Sequence, residues 1–397
     1  MACNTPASAN ATRLFYCLQD ECGVLPENPV FKQLRFTGGV PNLTMDELTS
    51  SELDGTAEIT NIRLGSRQVA NEAGVELYFG AHDELLSAVM QSDWVAGTAL
   101  TAQAVEVDAT AKEVKVTGDI TANISAGDFF VMPGLTLGGN MKPLQATTVA
   151  FDATNTVIGI DTAKDLSNIN PDGVADEVGI SDFTTSDKLL VGNTRQQLAL
   201  LVEYGDINGG PTYDLVMDAE VGAFTFNVAV NAIVTGTFSM MGKSLQQNSG
   251  LPVGATLAEG NDEKPFTGID GAMYKNGIPL VLSASADMNL DRSATASFAI
   301  GSKYMSHVSY GKAVNSVSVS TFFYDYSLSG DYENEIEGEY TIALSLDSKL
   351  MAFQYPTAII TGLERDVTEG DITQSVTLSP YKPIDKDSSL IIHRIEG

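Results

Sequence analysis

The chain has 397 residues, more than one ordinary domain, and its formal net charge of −29 leaves no basic segment that could hold nucleic acid phosphates. Its hydrophobic content of 43% is typical of a globular protein rather than a disordered one. No window approaches 18 consecutive apolar residues and no secretory signal is visible, so the sequence predicts neither a membrane span nor export. Cys3, Cys17 and Cys22 lie near no histidine, which favours free thiols in a reducing compartment over a zinc site.

The first segment, residues 1–95, predicts strands, a polar arm and one helix. Residues 34–37 and 74–79 alternate between apolar and polar positions, as half-buried strands do. Residues 42–66 are polar and acidic, which indicates an extended arm outside the core. Residues 82–90 place apolar side chains on one helical face and acids in the first turn, so this is the one helix that the sequence predicts.

The second segment, residues 96–188, is rich in Thr, Ala, Asp and Gly and contains short alternating runs between turn signals. This composition predicts a small inserted β-domain. Within it, Asn168, Asn170 and Asp172 have the spacing of the first half of a calcium loop. However, position 12 of that loop is Gly179 rather than Glu and Pro171 interrupts it, so an Asx-rich turn is the favoured interpretation.

In the third segment, residues 189–397, a run at 198–204 leads into an unusually long alternating stretch at 224–240. A single strand of that length would extend for about 55 Å. The stretch is therefore either a hairpin turned at Asn231 and Ala232 or one ribbon bent at Gly236. Its apolar positions predict a core face and its polar positions a wet face. The polar candidates are Thr225, Asn227, Asn231, Thr235, Thr237 and Ser239.

An acidic motif, YENEIEGEY, follows later in the third segment. If this motif is extended, its four glutamates form a stripe with neighbours about 6.6 Å apart. The alternative is a solvated loop or a frayed helical turn. The four candidates are Glu333, Glu335, Glu337 and Glu339.

Catalytic motifs are absent from the sequence. His82, His307 and His393 are dispersed, and no phosphate loop, dinucleotide fingerprint or nucleophile elbow appears. A carbohydrate-binding or hydrolytic module would need clustered aromatics or paired carboxylates, and the one Trp and scattered Tyr argue against it. The sequence therefore predicts a protein that is not an enzyme and has no cofactor or metal.

The stretch AFTFNVAVNAIVTGTFSMMGKS, residues 223–244, resembles the central strands of tail tube proteins from long-tailed, non-contractile bacteriophages. That family has a T-G-x-F-S-x-x-G-K signature, here running from Thr235 to Lys243. Further similar segments occur in the family's order. They are LRFTGG at 34–39, residues 62–94 ending in Trp, residues 266–291 and SLIIHRI at 389–395.

The resemblance implies a mainly β fold, a sandwich or barrel-forming subunit with one short flanking helix. Residues 1–95 and 189–397 would form the tail tube domain, and residues 96–188 an insert on the tube exterior. Six subunits would close a ring and rings would stack into a tube in the virion tail, made in the host bacterial cytoplasm. Partners would be the tape-measure, terminator and tip proteins, with DNA passing through the lumen without specific binding.

An assembly of this kind would give roles to the candidate residues. The polar positions between Thr225 and Ser239 and the acidic stripe would face the lumen. The polar arm would contact the neighbouring ring, and its candidates are Asp46, Glu47, Glu52, Asp54 and Arg63. The alternative function is that of another self-assembling acidic β protein, such as a surface-layer or adhesin-like protein.

Overall fold

The computed structural model describes residues 8–52, 55, 58–137, 142–160, 177–207, 210–248, 250–280, 283–368 and 370–396. It shows a mainly β protein with large sheets and a small barrel, which confirms the predicted fold class. Cys17 and Cys22 are free thiols, as expected.

The elements before the barrel are β1 (Thr12–Leu18), β2 (Val30–Leu34), β3 (Phe36–Gly38), β4 (Asn42–Thr49), β5 (Ile62–Glu76) and α1 (Asp83–Met90), preceded by a 3-10 turn at Ala9–Ala11. The barrel strands are β6 (Ala99–Asp108), β7 (Glu113–Thr117), β8 (Phe129–Val131), β9 (Leu144–Phe151), β10 (Asn155–Ile160) and β11 (Glu177–Thr185).

The strands that follow the barrel are β12 (Asp187–Leu190), β13 (Leu198–Ile207), β14 (Gly210–Ala229), β15 (Thr235–Gly242), β16 (Ser244–Gln246) and β17 (Thr256–Ala258). The remaining elements are β18 (Gly271–Lys275), β19 (Ile278–Pro279), β20 (Ser283–Asp291), β21 (Thr295–Ser297), β22 (His307–Ser309), β23 (Val314–Phe322), α2 (Ser327–Glu333), β24 (Gly338–Leu346), β25 (Lys349–Asp366), β26 (Thr373–Pro380) and β27 (Ile391–Glu396).

The main body has two β layers around one hydrophobic core. The first layer has the strand order β4-β5-β15-β14-β20-β23-β26-β25, and β3 lies beside the end of β5. In the second layer β2, β1 and β13 form one group, and β18, β24 and β27 form another. The long strands β14 and β25 join the layers. The first half of each pairs in the second layer and the second half pairs in the first layer.

The core between the layers is aromatic at its centre. Phe224, Phe226, Phe238 and Phe353 are each almost completely buried, with neighbouring ring centroids 5.1 to 6.5 Å apart. Burial of such side chains stabilises a fold by about 1.5–3 kcal/mol each. The even positions of the alternating stretch therefore supply the core face that the sequence predicts.

The stretch at 224–240 is a hairpin, so the interpretation as a bent ribbon is wrong. Asn227 pairs with Thr235, and residues 230–234 make the connection, with Asn231 in the left-handed region at φ 57°. The connection is longer than a two-residue turn. Gly236 does not bend a ribbon but lies under an aromatic ring, since a Cβ there would be 2.3 Å from Phe226 Cδ1.

Helix α1 covers one end of the core and begins one residue after the predicted start. A second helix, α2, was not predicted from the sequence. Its segment contains Gly330 and buries only Leu328, so no apolar stripe at helical spacing marks it. Tertiary packing against β25 stabilises this short helix in place of an amphipathic pattern.

The six strands β6 to β11 close into a separate barrel within residues 96–188, with its own apolar core. The chain enters and leaves the barrel at adjacent points, since Val95 and Lys188 exchange two backbone hydrogen bonds of 2.8 and 2.9 Å. Phe129 and Val131 of β8 pack on Leu350 and Ala352 of β25. That face of β25 is the one turned away from the main core. The calcium-like residues Asn168, Asn170 and Asp172 lie outside the described residues.

Candidate functional site: a polar sheet face with two free edges

The outer face of the first layer is polar across all eight strands. Alternation along each strand directs one set of side chains to the core and the other set to this face. The paired positions of neighbouring strands continue the face from β5 to β25. Its polar members include Thr235, Thr237, Ser239, Thr225, Asn227, Asp287, Asn289, Ser316, Ser318, Ser320, Ser375, Thr377 and Glu364.

The charge of this polar face is entirely acidic from residues 68–76 of β5 across to residues 362–366 of β25. This part carries Glu72, Glu76, Asp287, Asp291, Glu364 and Asp366 and no Lys or Arg, whereas Arg63 lies on the same side of the sheet in the outer part of the β4–β5 hairpin. A surface of hydroxyls, amides and carboxylates has no group that can form an ion pair with a phosphate. The face therefore repels polyanions and offers no large apolar patch for adhesion.

The centre of the face is a shallow depression of about 490 Å³. Its lining includes Thr225, Asn227, Thr235 and Thr237 from the predicted set. Asn227 Nδ2 donates to Asp287 Oδ1 across the β14–β20 pair at 2.5 Å. The depression is wide and open to solvent, which is the form of a lining surface rather than of a substrate pocket.

Five of the six predicted polar candidates lie on this face. Thr225 and Thr235 are exposed, and Asn227, Thr237 and Ser239 are half-buried. Asn231 is also exposed but lies in the hairpin connection beyond the end of the sheet. Asp287, Asn289 and the serines of β23 were not among the candidates. The alternating sequence SVSVS at 316–320 and the acids and amide at 287, 289 and 291 were the signal that could have identified them.

The predicted acidic stripe does not form a single row. Glu333 ends α2, Glu335 lies in a turn at φ 51° and Glu337 in the following loop, so only Glu339 is in a strand. The alternative interpretation, a loop with a helical turn, describes Glu333 to Glu337. Glu339 faces the barrel, and burial raises the pKa of its carboxyl. The extended geometry fails because packing of Leu328 holds the preceding residues in a helix.

The predicted arm is the outer part of the β4–β5 hairpin rather than a single extended strand. Asp46, Glu47 and Arg63 are exposed on the two strands, and Arg63 pairs with Leu48. Glu52 is exposed after the end of β4, and Asp54 lies outside the described residues. On the two strands of the hairpin, three apolar side chains are exposed by 57 to 64%: Leu48, Ile62 and Leu64. Apolar residues on both surfaces of a projecting hairpin are typical of an interaction element.

The sheet that carries the polar face has two free edges. β4 pairs with β5 on one side and with no strand on the other, among the residues that the structure describes. The second half of β25, residues 359–366, pairs with β26 and likewise has an open side within the described chain. Open edges expose backbone donors and acceptors that another strand can satisfy.

The buried histidines are structural in this molecule. Burial lowers the pKa of His82 to about 4 and that of His393 to about 3. His393 lies between the barrel and the main body, where Ser186 Oγ and Gln354 Oε1 are 2.9 and 2.8 Å from its ring nitrogens. No cluster of three metal-ligating side chains occurs in the described ranges. Neither helix there is long and apolar enough to cross a bilayer.

The two-layer fold, the polar face and the open edges are features of a structural β protein rather than of an enzyme pocket. The chain belongs to the phage tail tube protein family, whose model matches residues 9–380. It is therefore a structural component of a virion tail, and the family match favours this function over that of a surface-layer or adhesin-like protein. A search of curated proteins finds no match.

Proposed function

We propose that copies of this chain close into rings through their sheet edges and that the rings stack into the tube through which DNA leaves the virion. The polar acidic face lines the lumen in this arrangement, and its uninterrupted extent over eight strands is the observation that carries the proposal. Closed rotational symmetry satisfies every open edge without uncontrolled aggregation. The resemblance to tail tube proteins implies that each ring has six subunit positions.

The lumen repels the DNA backbone because the outward strand positions from residues 68–76 of β5 across to β25 carry carboxylates and no Lys or Arg. DNA then slides without specific binding, since no counterions are released by Lys or Arg contacts. The tape-measure protein occupies the same lumen before ejection, and terminator and tip proteins bind the two ends of the tube.

The barrel lies on the exterior in this proposal. It packs on the side of β25 that carries Leu350 and Ala352, whereas Met351 and Phe353 of the same strand face the main core. The core and the polar sheet therefore separate the barrel from the lumen face.

A charge placed on the polar face tests the lumen assignment. Thr225→Lys adds a cation at the centre of this face, where Thr225 is exposed. We expect tubes to assemble and DNA ejection to slow, with a dependence on salt, because the lysines attract phosphates. The measurement is the rate of DNA release from virions that carry the variant.

The matched control is Thr148→Lys, which adds the same charge at an exposed strand position of the barrel. Its ejection rate should equal that of the unaltered virion. Intact tubes in which both variants eject DNA at the unaltered rate, or are slowed equally, would contradict a lumen position for Thr225.

A further inference from the structure

The main body contains the same arrangement of elements twice. Each unit has two strands, then a pair of strands, a helix, another strand, a long strand and a closing strand, and only the first unit contains the barrel. In chain order, the first unit consists of β1, β2, β3 with β4, β5, α1, β13, β14 and β15. The corresponding elements of the second unit, in the same order, are β18, β19, β20, β23, α2, β24, β25 and β26.

The irregularities of strand pairing coincide between the units. The β14–β15 pair shifts register between Val221 and Ala223, and the β25–β26 pair shifts between Ile360 and Gly362, 139 positions later in both cases. The pairs β3–β5 and β20–β23 also share a register shift, at Phe36/Gly38 and at Ser283/Ser285. Bulges at matching positions are not required by alternation alone, so the two units are structural repeats.

Contacts outside the strands repeat as well. Leu77 N donates to Val234 O after β5, and Phe323 N donates to Ile372 O after β23, each at 2.9 Å. Helix α1 packs on β14 and α2 packs on β25. The repeat therefore includes the helix and the chain crossing beside it.

In the first layer, the strand pair β14 with β20 joins the two repeats. Phe224 pairs with Leu290 and Thr225 with Asn289 in this junction. The counterpart of β14 in the second repeat is the free edge of β25, and the counterpart of β20 in the first repeat is β3 with the start of the free strand β4. Each chain therefore contains one complete junction. The two edges of its first-layer sheet carry the two halves of a second junction of the same kind.

Three apolar side chains of the internal junction have apolar counterparts at the free edges. Phe224 and Leu290 are 0% exposed. The counterpart of Phe224 is Leu363, 139 positions later, and the counterpart of Leu290 is Leu43, 247 positions earlier. Both counterparts are only partly buried. Val367, the counterpart of the buried Val228, is 70% exposed. At these three positions the free edges leave exposed, in part or mostly, an apolar side chain whose counterpart the internal junction buries.

We infer that β25 of one chain pairs antiparallel with β4 of the next in the register of the β14–β20 junction, so that three chains supply the six repeats of a ring. Glu364 then lies opposite Asn42, and Gly362 opposite Thr44. The inference rests on the proposed ring assembly and fixes its edge contact and its number of chains.

The number of strands sets the bore. Three chains give 24 strands, which at about 4.8 Å spacing make a circumference of about 115 Å and a backbone diameter of about 37 Å before strand tilt widens it. Six chains would double that diameter to about 73 Å. The two ring sizes are therefore easily distinguished by microscopy.

Paired cysteines test the edge contact and the count together. Asn42→Cys with Glu364→Cys should form disulfides between chains in assembled tubes under oxidising conditions, because paired Cα atoms of antiparallel strands are about 4.5–5.5 Å apart. A non-reducing denaturing gel should show a ladder that ends at three chains. Thr225→Cys with Asn289→Cys is the internal control and should close within single chains.

The off-register pair Thr44→Cys with Glu364→Cys should form little disulfide, and yields equal to those of the first pair would overturn the register. A ladder that extends to six chains would overturn the count of three.

Tubes without any cross-link from the first pair would overturn the edge contact while the ring proposal stands. Unaltered protein that forms no rings would overturn the ring proposal itself. If the double variant fails to assemble, the rotational symmetry of unaltered tubes decides the count, three-fold for the inference and six-fold against it.

Discussion

At the scale of single residues, His393 couples the barrel to the main body. Its ring is completely buried, beside Ser186 from the end of the barrel segment and Gln354 of β25. Burial lowers the pKa of His393 to about 3, so the folded chain holds the imidazole neutral where the unfolded chain protonates it. This contribution to stability is complete above about pH 6.5 and is lost as the pH falls from there toward 3.

We expect the stabilising effect of His393 to decline in acid. The difference in unfolding free energy between the unaltered chain and His393→Gln should shrink by about 1.4 kcal/mol for each pH unit between about 6 and 4. Denaturant unfolding of both proteins over that range provides the measurement. A difference for His393→Gln that stays constant over this pH range would refute the assignment.

The sequence indicated the wet and apolar positions of β14 and β15 because alternation directly encodes which side chains are buried. It did not indicate the role of His393, since the residues that bury it are distant along the chain. Phe129 packs edge-on against its ring with centroids 5.4 Å apart, and Gln354 lies 39 residues before it. Partners of this kind become visible only once the strands are paired.

At the scale of elements, the β4–β5 hairpin occupies the segment that the sequence predicted as a polar arm, and we propose that it makes the contact between rings. The polar composition of residues 42–66 predicted exposure correctly, but it obscured the apolar side chains on β4 and β5. Leu48 and Ile62 are more than half exposed although they lie in regular strands. Exposure at such positions costs little in the isolated chain and becomes favourable when a neighbouring ring covers them.

Replacing the apolar side chains of the hairpin should separate folding from assembly. We expect the triple variant Leu48→Ser, Ile62→Ser and Leu64→Ser to unfold within about 1 kcal/mol of the unaltered chain, because the side chains are exposed. Tube formation should be lost or strongly reduced, as measured by sedimentation and electron microscopy.

The control for the hairpin variant is Val178→Ser with Ile180→Ser on the barrel strand β11, where the side chains are 76 and 61% exposed. Tubes should form normally from this protein. Normal tubes from the hairpin variant too would show that the hairpin makes no essential contact between rings.

At the scale of the whole molecule, the sequence revealed the fold class and the family but not the repeat. Corresponding segments share few residues: FTFN at 224–227 corresponds to LERD at 363–366. Strand pairing depends on alternation and on bulges rather than on identity, so two repeats can keep one geometry with different side chains. The barrel also separates α1 from β13 in the first repeat, which hides the common order of elements in the linear sequence.

Removing the barrel tests its exterior position. Because Val95 and Lys188 are hydrogen-bonded neighbours, residues 97–186 can be replaced by a short Gly/Ser linker without moving the strands on either side. Leu350→Ser and Ile395→Thr would make the uncovered surface polar. We expect tubes with an unchanged bore and a smaller outer diameter by electron microscopy. A changed bore would place the barrel in the lumen instead.

The covalent link between the two repeats also affects how a ring is built. The β14–β20 junction forms within one molecule, where the covalent link gives its two strands a high effective concentration. Its formation therefore does not lose the translational and rotational entropy that association of two chains loses. Half of the junctions in a ring of three chains are then complete before any two chains meet. A ring of three chains has fewer assembly intermediates than a ring of six, because the dimer is the only species between the free chain and the closed ring. Growth of a long tube can therefore stall at fewer incomplete rings.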